Sequence, residues 1–212
     1  MLDALPVNQA IKQFNGWYER VVEIDGNDNL AFGISDEVIP LFEQLVPRHM
    51  RDAPIGAIYE WRADNLPLAL ARRLVHQGGV ALLIDYGHVE SAAGDTLQAV
   101  GGHAFVNPLH SPGEVDLTAH VDFQALATAA ESMGALVTGP IEQAKFLRHL
   151  GIEKRAATLR SLASPQKSAE IESAVRRLLG EGPTEMGKLF KVIGLAHPSI
   201  ETLPGFQPEP PQ

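Results

Sequence analysis

The sequence predicts an α/β fold, and three observations lead to this prediction. The run GVALLIDYG (79–87) is an apolar strand bounded by turn signals. A helix is predicted at 65–77, and a short glycine loop connects it to this strand, an order that is typical of a parallel sheet. The segment 94–123, which follows the strand, is long, polar and rich in histidine and aspartate. Because ligands of open α/β sheets bind outside the carboxyl ends of the strands, this segment marks the candidate site.

The composition is that of an ordinary globular chain that can bury a substantial core. The chain has 212 residues, of which 45% are hydrophobic and 20% are charged, and its net charge is −9. We expect no nucleic-acid binding, since that needs a basic surface. The absence of cysteine excludes disulfides, cysteine-ligated zinc and thiol catalysis. No apolar run reaches the roughly 18–20 residues of a membrane span, so none is expected.

The first sixty residues predict a small antiparallel element outside the main sheet. Residues 1–7 are expected to form the end of a strand and its exit loop. The segments 17–24 and 30–35 predict a β-hairpin, with Asp25-Gly26 as the turn signal between them. This hairpin, about 17–35, would be an insertion into the sheet. No element is predicted at 36–58, where three prolines break any long helix.

The rest of the chain predicts helices and strands that alternate up to about residue 149, followed by two more helices and a last strand. The helix at 65–77 would begin at an Asn65 N-cap and stop at Gly78, and the strand at 80–85 follows. A helix at 123–133 would begin at an Asp122 N-cap. The strand predicted at 135–138 is expected to stop at Gly139-Pro140. The remaining predictions are a strand at 135–138, helices at 141–149, 153–163 and 167–179, a strand at 189–196, and an extended or disordered proline-rich tail at 198–212.

Several short runs carry a resemblance to a known family. They are LLIDYGH, GDTLQA, PGEVDLTAHVDF, FLRHLGI and MGKLFKVIGL, and DLTAHVDF is much more specific than a lone glycine motif. From LDALPV (2–7) to about residue 196, the chain resembles the MidA-like, S-adenosylmethionine-dependent methyltransferase family. The mitochondrial members of that family resemble a complex I assembly factor that methylates an arginine.

The resemblance implies a fold, a function and a cofactor. The fold would be a partial Rossmann-like methyltransferase sheet over 1–197, with the inserted hairpin and extra C-terminal helices. The function would be methylation of a protein arginine by S-adenosylmethionine, with a respiratory complex I subunit as the partner. Asp3 and Pro6, in LDALPV, would bind the cofactor. The location would be the cytoplasm of a bacterium, or the mitochondrion of a eukaryote.

Two signatures of that family do not occur in this chain. No G-x-G-x-x-G follows a strand, and the Asn-Glu pair that precedes LDALPV in the family is missing. The resemblance therefore implies the C-terminal half of a methyltransferase. We expect the isolated chain to bind S-adenosylmethionine weakly or not at all. We also expect self-association into a homo-oligomer, because the strand at 80–85 would lack neighbours.

The candidate catalytic residues begin at the end of the strand. Carboxylates orient a guanidinium acceptor well, because they bind it in bidentate fashion. Asp85 either points into a cleft or caps the following loop through backbone N–H groups. Tyr86 either donates a hydrogen bond to the substrate or packs in the core. Asp116 either contributes its carboxylate or fixes its own loop.

His120 and Asp122 form an H-x-D pair at a helix entrance. His120 would be a general base or hydrogen-bond partner, or would bond to a loop carbonyl. Asp122 is favoured as an N-cap, where a carboxylate interacts well with the helix dipole. We expect Asp85, Tyr86, His120 and Asp122 to converge around a cleft at one edge of the sheet.

Two other function classes stay open. A chain without the cofactor loop could be a non-catalytic binding or assembly module. A metal-dependent hydrolase could use His103, His110, His120, Asp116 and Asp122 as ligands. Their spacing matches no tight template such as H-E-x-x-H, so metal binding is the weaker hypothesis.

Overall fold

A computed structural model describes residues 1–102, 104–182 and 185–207. The strands are β1 (Asn8–Gln13), β2 (Gly16–Ile24), β3 (Leu30–Val38), β4 (Ile58–Trp61), β5 (Val80–His88), β6 (Gln98–Gly101), β7 (Ala104–Val106), β8 (Asp116–Thr118), β9 (Val121–Asp122), β10 (Leu136–Glu142) and β11 (Phe190–Ala196). The helices are α1 (Phe42–Leu45), α2 (Asn65–Gln77), α3 (Phe123–Ser132), α4 (Gln143–His149), α5 (Ile152–Ser161) and α6 (Pro165–Leu179), and a short 3-10 helix spans Arg48–Met50.

The chain forms two compact units. The first contains Met1–Ala63 and Ser91–His120. The second contains Asp64–Glu90 and the described residues from Val121 onward. Each unit has its own sheets and its own buried residues.

The first unit is built on an antiparallel sheet with the strand order β3-β2-β1-β4. The predicted hairpin is confirmed as β2 and β3. In its turn, backbone N–H groups of Asn29 and Asn27 donate to the Asp25 carboxylate and lower the pKa of Asp25. The strand expected within 1–7 was wrong, since these residues form turns and loop and β1 begins at Asn8.

Trp17 anchors the core of this sheet. Its side chain is fully buried, and its ring meets those of Phe42 and Tyr59 edge-on, with centroids 6.0 and 6.4 Å apart. Phe42, Val46 and Met50 are buried in the same cluster. The segment 36–58, for which no element was predicted, therefore covers the sheet with its apolar side chains.

A second sheet of this unit has the strand order β7-β6-β8 and is antiparallel. It lies within 94–123, where the sequence predicted no strand. These strands have only three or four residues each. Alternation becomes recognisable over about four to eight residues, so strands this short leave little pattern in the sequence.

The second unit holds a mixed sheet with the strand order β10-β11-β5-β9. β5 and β11 pair antiparallel from Val80↔Ala196 to Tyr86↔Phe190. The strands predicted at 80–85 and 189–196 are therefore present, and they are neighbours in the centre of this sheet. β11 is also antiparallel to β10, whereas β9 is parallel to β5.

The ends of some elements differ from the prediction. β10 does not stop at Gly139-Pro140 but continues to Glu142, because a register shift after Thr138 bulges the ladder without ending it. The N-cap of α2 is Asp64, not Asn65, and its side chain makes no capping hydrogen bond. The helices predicted at 65–77, 123–133, 141–149, 153–163 and 167–179 are present as α2 to α6.

The described part of the proline-rich tail packs on the second unit. Leu203 is buried, and the rings of Phe146 and Phe206 lie 5.1 Å apart. His149 Nδ1 donates to the carbonyl of Gly205 at 3.0 Å. Residues 208–212 lie outside the described residues, and the domain boundary at 197 stays a prediction. Within the described chain, no helix is long and apolar enough to cross a membrane.

Candidate active site

Asp85 lies near the C-terminal end of β5 and is only 5% exposed. Its Oδ1 accepts a hydrogen bond from the backbone N–H of Tyr86 at 3.0 Å. The sequence left open whether Asp85 caps the following loop or points into a cleft, and this bond is of the capping kind. Burial of a carboxylate in a central strand requires such donors.

Tyr86 packs against the neighbouring strand. Its ring meets that of Phe190 edge-on, with centroids 5.6 Å apart. Consecutive strand residues point to opposite faces of a sheet, so Asp85 and Tyr86 do not share a face. The expectation that both side chains converge on one cleft is therefore wrong for this pair, and the structure favours the packing role of Tyr86.

A buried lysine, missed by the sequence analysis, lies beside Asp85 in the ladder. Lys191 on β11 is opposite Asp85 on one side and Glu142 on the other, so three charged residues share one face. Its Nζ donates to the carbonyl of Lys188 and, at 3.2 Å, to that of Leu189. Burial lowers the pKa of Lys191, and the charge of Glu142 opposes this shift. The only signal in the sequence was a lysine inside an apolar strand.

Asp122 is the N-cap of α3, as predicted. Its Oδ1 accepts from the backbone N–H of Ala125 at 2.9 Å, and its Oδ2 lies 3.7 Å from Nε2 of His88. His88 is opposite Asp122 in the parallel pairing of β5 with β9. Gly87 permits this pairing, because a Cβ there would lie 2.0 Å from the carbonyl oxygen of Val121. His88 was missed, although it ends the LLIDYGH run.

His120 is fixed through its backbone. Its N–H donates to Thr96 Oγ1 at 2.8 Å, and its carbonyl accepts from Arg62 Nη1 at 2.8 Å. Asp116 is exposed on β8. Both residues belong to the first unit, whereas Asp85, Tyr86 and Asp122 belong to the second. The convergence of His120 with Asp85 and Asp122 stays a prediction.

A cavity of about 360 Å³ lies in the first unit. Residues 3–7, Leu97 and residues 117–119 line it, so Asp3 and Pro6 are both in its wall. Its volume lies within the range of small-molecule sites. The carboxylate of Asp3 pairs with the amino group of Met1. The largely apolar walls suit a ring system such as the one at one end of S-adenosylmethionine. The cofactor-binding role of Asp3 and Pro6 stays a prediction.

The metal hypothesis gains no support from the described residues. Among residues 1–102, 104–182 and 185–207, no three histidine or carboxylate side chains are grouped so as to hold an ion. His103, one of its five suggested ligands, lies outside the described residues.

Comparison with known proteins decides the family. Residues 1–141 match the family described as "Putative S-adenosyl-L-methionine-dependent methyltransferase". The chain belongs to this family. The resemblance predicted from the sequence runs is thereby confirmed.

Curated relatives extend the similarity over most of the chain. The mitochondrial protein arginine methyltransferase NDUFAF7 of Danio rerio is 32% identical over 191 residues, which are 89% of this chain and 44% of the relative. The homolog of Caenorhabditis elegans is 33% identical over 204 residues, which are 94% of this chain and 46% of the relative. The chain thus spans less than half the length of these curated relatives.

Two solved structures from Burkholderia thailandensis have a similar fold. One has a TM-score of 0.82 and 32% identity, and the match covers 97% of this chain and 56% of that chain. The other, bound to S-adenosyl-homocysteine, has a TM-score of 0.79 and 32% identity, and the match covers 97% of this chain and 54% of that chain. They confirm the predicted Rossmann-like methyltransferase fold and the class of cofactor that the family uses.

Proposed function

We propose that this chain is part of an S-adenosylmethionine-dependent protein methyltransferase whose acceptor is an arginine. The observation that carries the proposal is the similarity to relatives named as protein arginine methyltransferases, over 89% and 94% of this chain. Because the chain spans less than half of those relatives, the proposal concerns the part that its residues play in the reaction.

Methyl transfer from a sulfonium needs little covalent chemistry from the protein. The cofactor supplies the electrophilic methyl group, and the protein supplies position and charge. In this proposal the cavity wall that contains Asp3 and Pro6 holds part of the cofactor. The cavity's apolar residues exclude water from it.

The acceptor guanidinium needs negative charge and planar hydrogen-bond acceptors. Asp122 would supply these on the face of the sheet that carries His88, and Asp85 on the opposite face at the end of β5. Asp116, on β8 of the first unit, is a further candidate carboxylate. His120 would take up the proton that the guanidinium loses. Tyr86 would support β5 by packing on Phe190, where the structure places its ring.

The proposed acceptor protein is a subunit of respiratory complex I. The curated relatives are named as mitochondrial. The protein would act in the mitochondrion if it is eukaryotic, or in the cytoplasm if it is bacterial like the two similar solved structures. A non-catalytic assembly module is the second candidate, favoured by the lack of a G-x-G-x-x-G run in the 212 residues.

Complementation in trans tests the proposed function. The chain is incubated with methyl-labelled S-adenosylmethionine and arginine-containing acceptor protein, alone and with a polypeptide equivalent to the uncovered part of the Burkholderia structure. We expect label in arginine only when both polypeptides are present. Binding of the two polypeptides and the cofactor without transfer to any acceptor would favour the assembly module instead.

A further inference from the structure

Two charged side chains, one on β4 and one directly after it, bond to segments that line the cavity. Glu60 lies on β4, and Arg62 follows directly after the end of this strand. Residues two apart on a strand point to the same side. Both side chains belong to the first unit, as do all the residues that line the cavity.

Arg62 bonds to backbone carbonyls of two separate wall segments. Its Nη2 donates to the carbonyls of Asp3 at 3.2 Å and Ala119 at 2.8 Å. Its Nη1 donates to the backbone carbonyl of His120 at 2.8 Å, and its Nε donates to the backbone carbonyl of Leu5 at 3.4 Å. Only a guanidinium offers five N–H donors in a rigid fork that can join several carbonyls at once.

Glu60 fixes the third wall segment. It is 6% exposed, and its Oε1 accepts from Gln9 Nε2 at 2.6 Å and from the backbone N–H groups of Thr96 and Leu97 at 3.0 and 3.2 Å. Its Oε2 accepts from Thr96 Oγ1, which in turn accepts from the N–H of His120 at 2.8 Å. A buried carboxylate is stable only when it receives several such bonds, so Glu60 and the loop at 96–97 depend on each other.

We propose that Glu60 and Arg62 are the positioning residues of the cavity. They hold residues 3–5, 96–97 and 119–120 in one arrangement without contacting the ligand themselves. The hydrogen-bond networks of both side chains include the backbone of His120. Its N–H donates to Thr96, which bonds to Glu60, and its carbonyl accepts from Arg62. The inference rests on the proposed function only for the identity of the ligand, which would be the cofactor of the methyl transfer.

Hydrogen exchange of the full 212-residue chain tests the proposal without cofactor or acceptor. The amide of Ala119 donates to the carbonyl of Asp3, and that of His120 donates to Thr96. In Arg62→Ala, exchange at 119–120 should be about tenfold faster or more, the effect of losing charge-assisted hydrogen bonds. The β1–β2 ladder should keep its exchange rates. Arg51→Ala, which removes an exposed arginine of the same unit, is the matched control and should change neither region.

Added guanidinium separates positioning from general stabilisation. Millimolar guanidinium should restore slow exchange at 119–120 in Arg62→Ala and leave the control variant unchanged. Thr96→Val, which keeps the side-chain shape, should accelerate exchange at 97 and 120 alone, and it decides the question if Arg62→Ala does not fold. Unchanged exchange at 119–120, or equal acceleration across β1 and β2, would overturn the proposal. Failed methyl transfer would not affect this result, so the two proposals fail independently.

Discussion

Replacement of Asp122 separates its structural role from a role in chemistry. Its Oδ1 caps α3 through the N–H of Ala125 at 2.9 Å, and the side chain is only 10% exposed. Loss of an N-cap side chain costs about 0.5–2 kcal/mol, and the partial burial places Asp122→Ala in the upper part of that range. For a chain of this size, a loss of about 1–2 kcal/mol lowers the melting temperature by about 2–8 °C. Asp122→Asn keeps a capping oxygen, so its melting temperature should change little.

Calorimetric unfolding of both variants measures this difference, and methyl transfer in the presence of the complementing polypeptide shows what the carboxylate does. If the charge of Asp122 orients the acceptor arginine, Asp122→Asn should keep its melting temperature but transfer methyl groups more slowly. Asp64→Ala is the matched control, because Asp64 is the N-cap of α2 but makes no capping hydrogen bond. It should lose less than about 0.5 kcal/mol. Equal destabilisation of Asp122→Asn and Asp122→Ala would refute the reasoning, since it would mean that the capping bond does not set the stability.

Three further predictions concern the buried lysine, the exposed strand and the cofactor. Because burial lowers the pKa of Lys191, its charge costs stability below that lowered pKa. The urea midpoint of the parent should therefore rise relative to that of Lys191→Met as pH rises toward about 10.4, the pKa of an unperturbed lysine, and no such rise is expected relative to Lys188→Met. Val80, Leu82 and Ile84 are 45–49% exposed on one face of β5, so Leu82→Lys should reduce self-association measured by light scattering across a concentration series. Calorimetric titration of the isolated chain with S-adenosylmethionine should show no tight binding, because the 212 residues contain no G-x-G-x-x-G run after a strand to bind the cofactor. Each charge-assisted hydrogen bond that the cofactor then lacks is worth about 1.5–3 kcal/mol. Micromolar affinity would contradict this prediction.

The sequence predicted the elements whose signal is local. β5 and β11 are apolar runs between turn signals, and α3 begins at an aspartate followed by apolar residues at helical spacing. β6, β7 and β8 were missed because three or four residues cannot display an alternating pattern. The strand period alone already implied that Asp85 and Tyr86 point to opposite faces.

The contacts around the candidate site depend on residues far apart in the chain. Arg62 bonds to carbonyls at positions 3, 5, 119 and 120, and Glu60 bonds to the loop at 96–97. No local pattern encodes such pairings, because they arise only when β4 packs beside those segments. Two charged residues at spacing two inside the short run IYEWR were the one available signal.

Quantitative mass spectrometry of methylarginine in the source cell tests the central claim most directly. The proteomes of the parent, a strain lacking the gene and a complemented strain are compared, with attention to the subunits of respiratory complex I. We expect at least one arginine to lose methylation in the deletion strain and to regain it on complementation. Identical methylarginine in all three strains would contradict the claim that this protein takes part in arginine methylation.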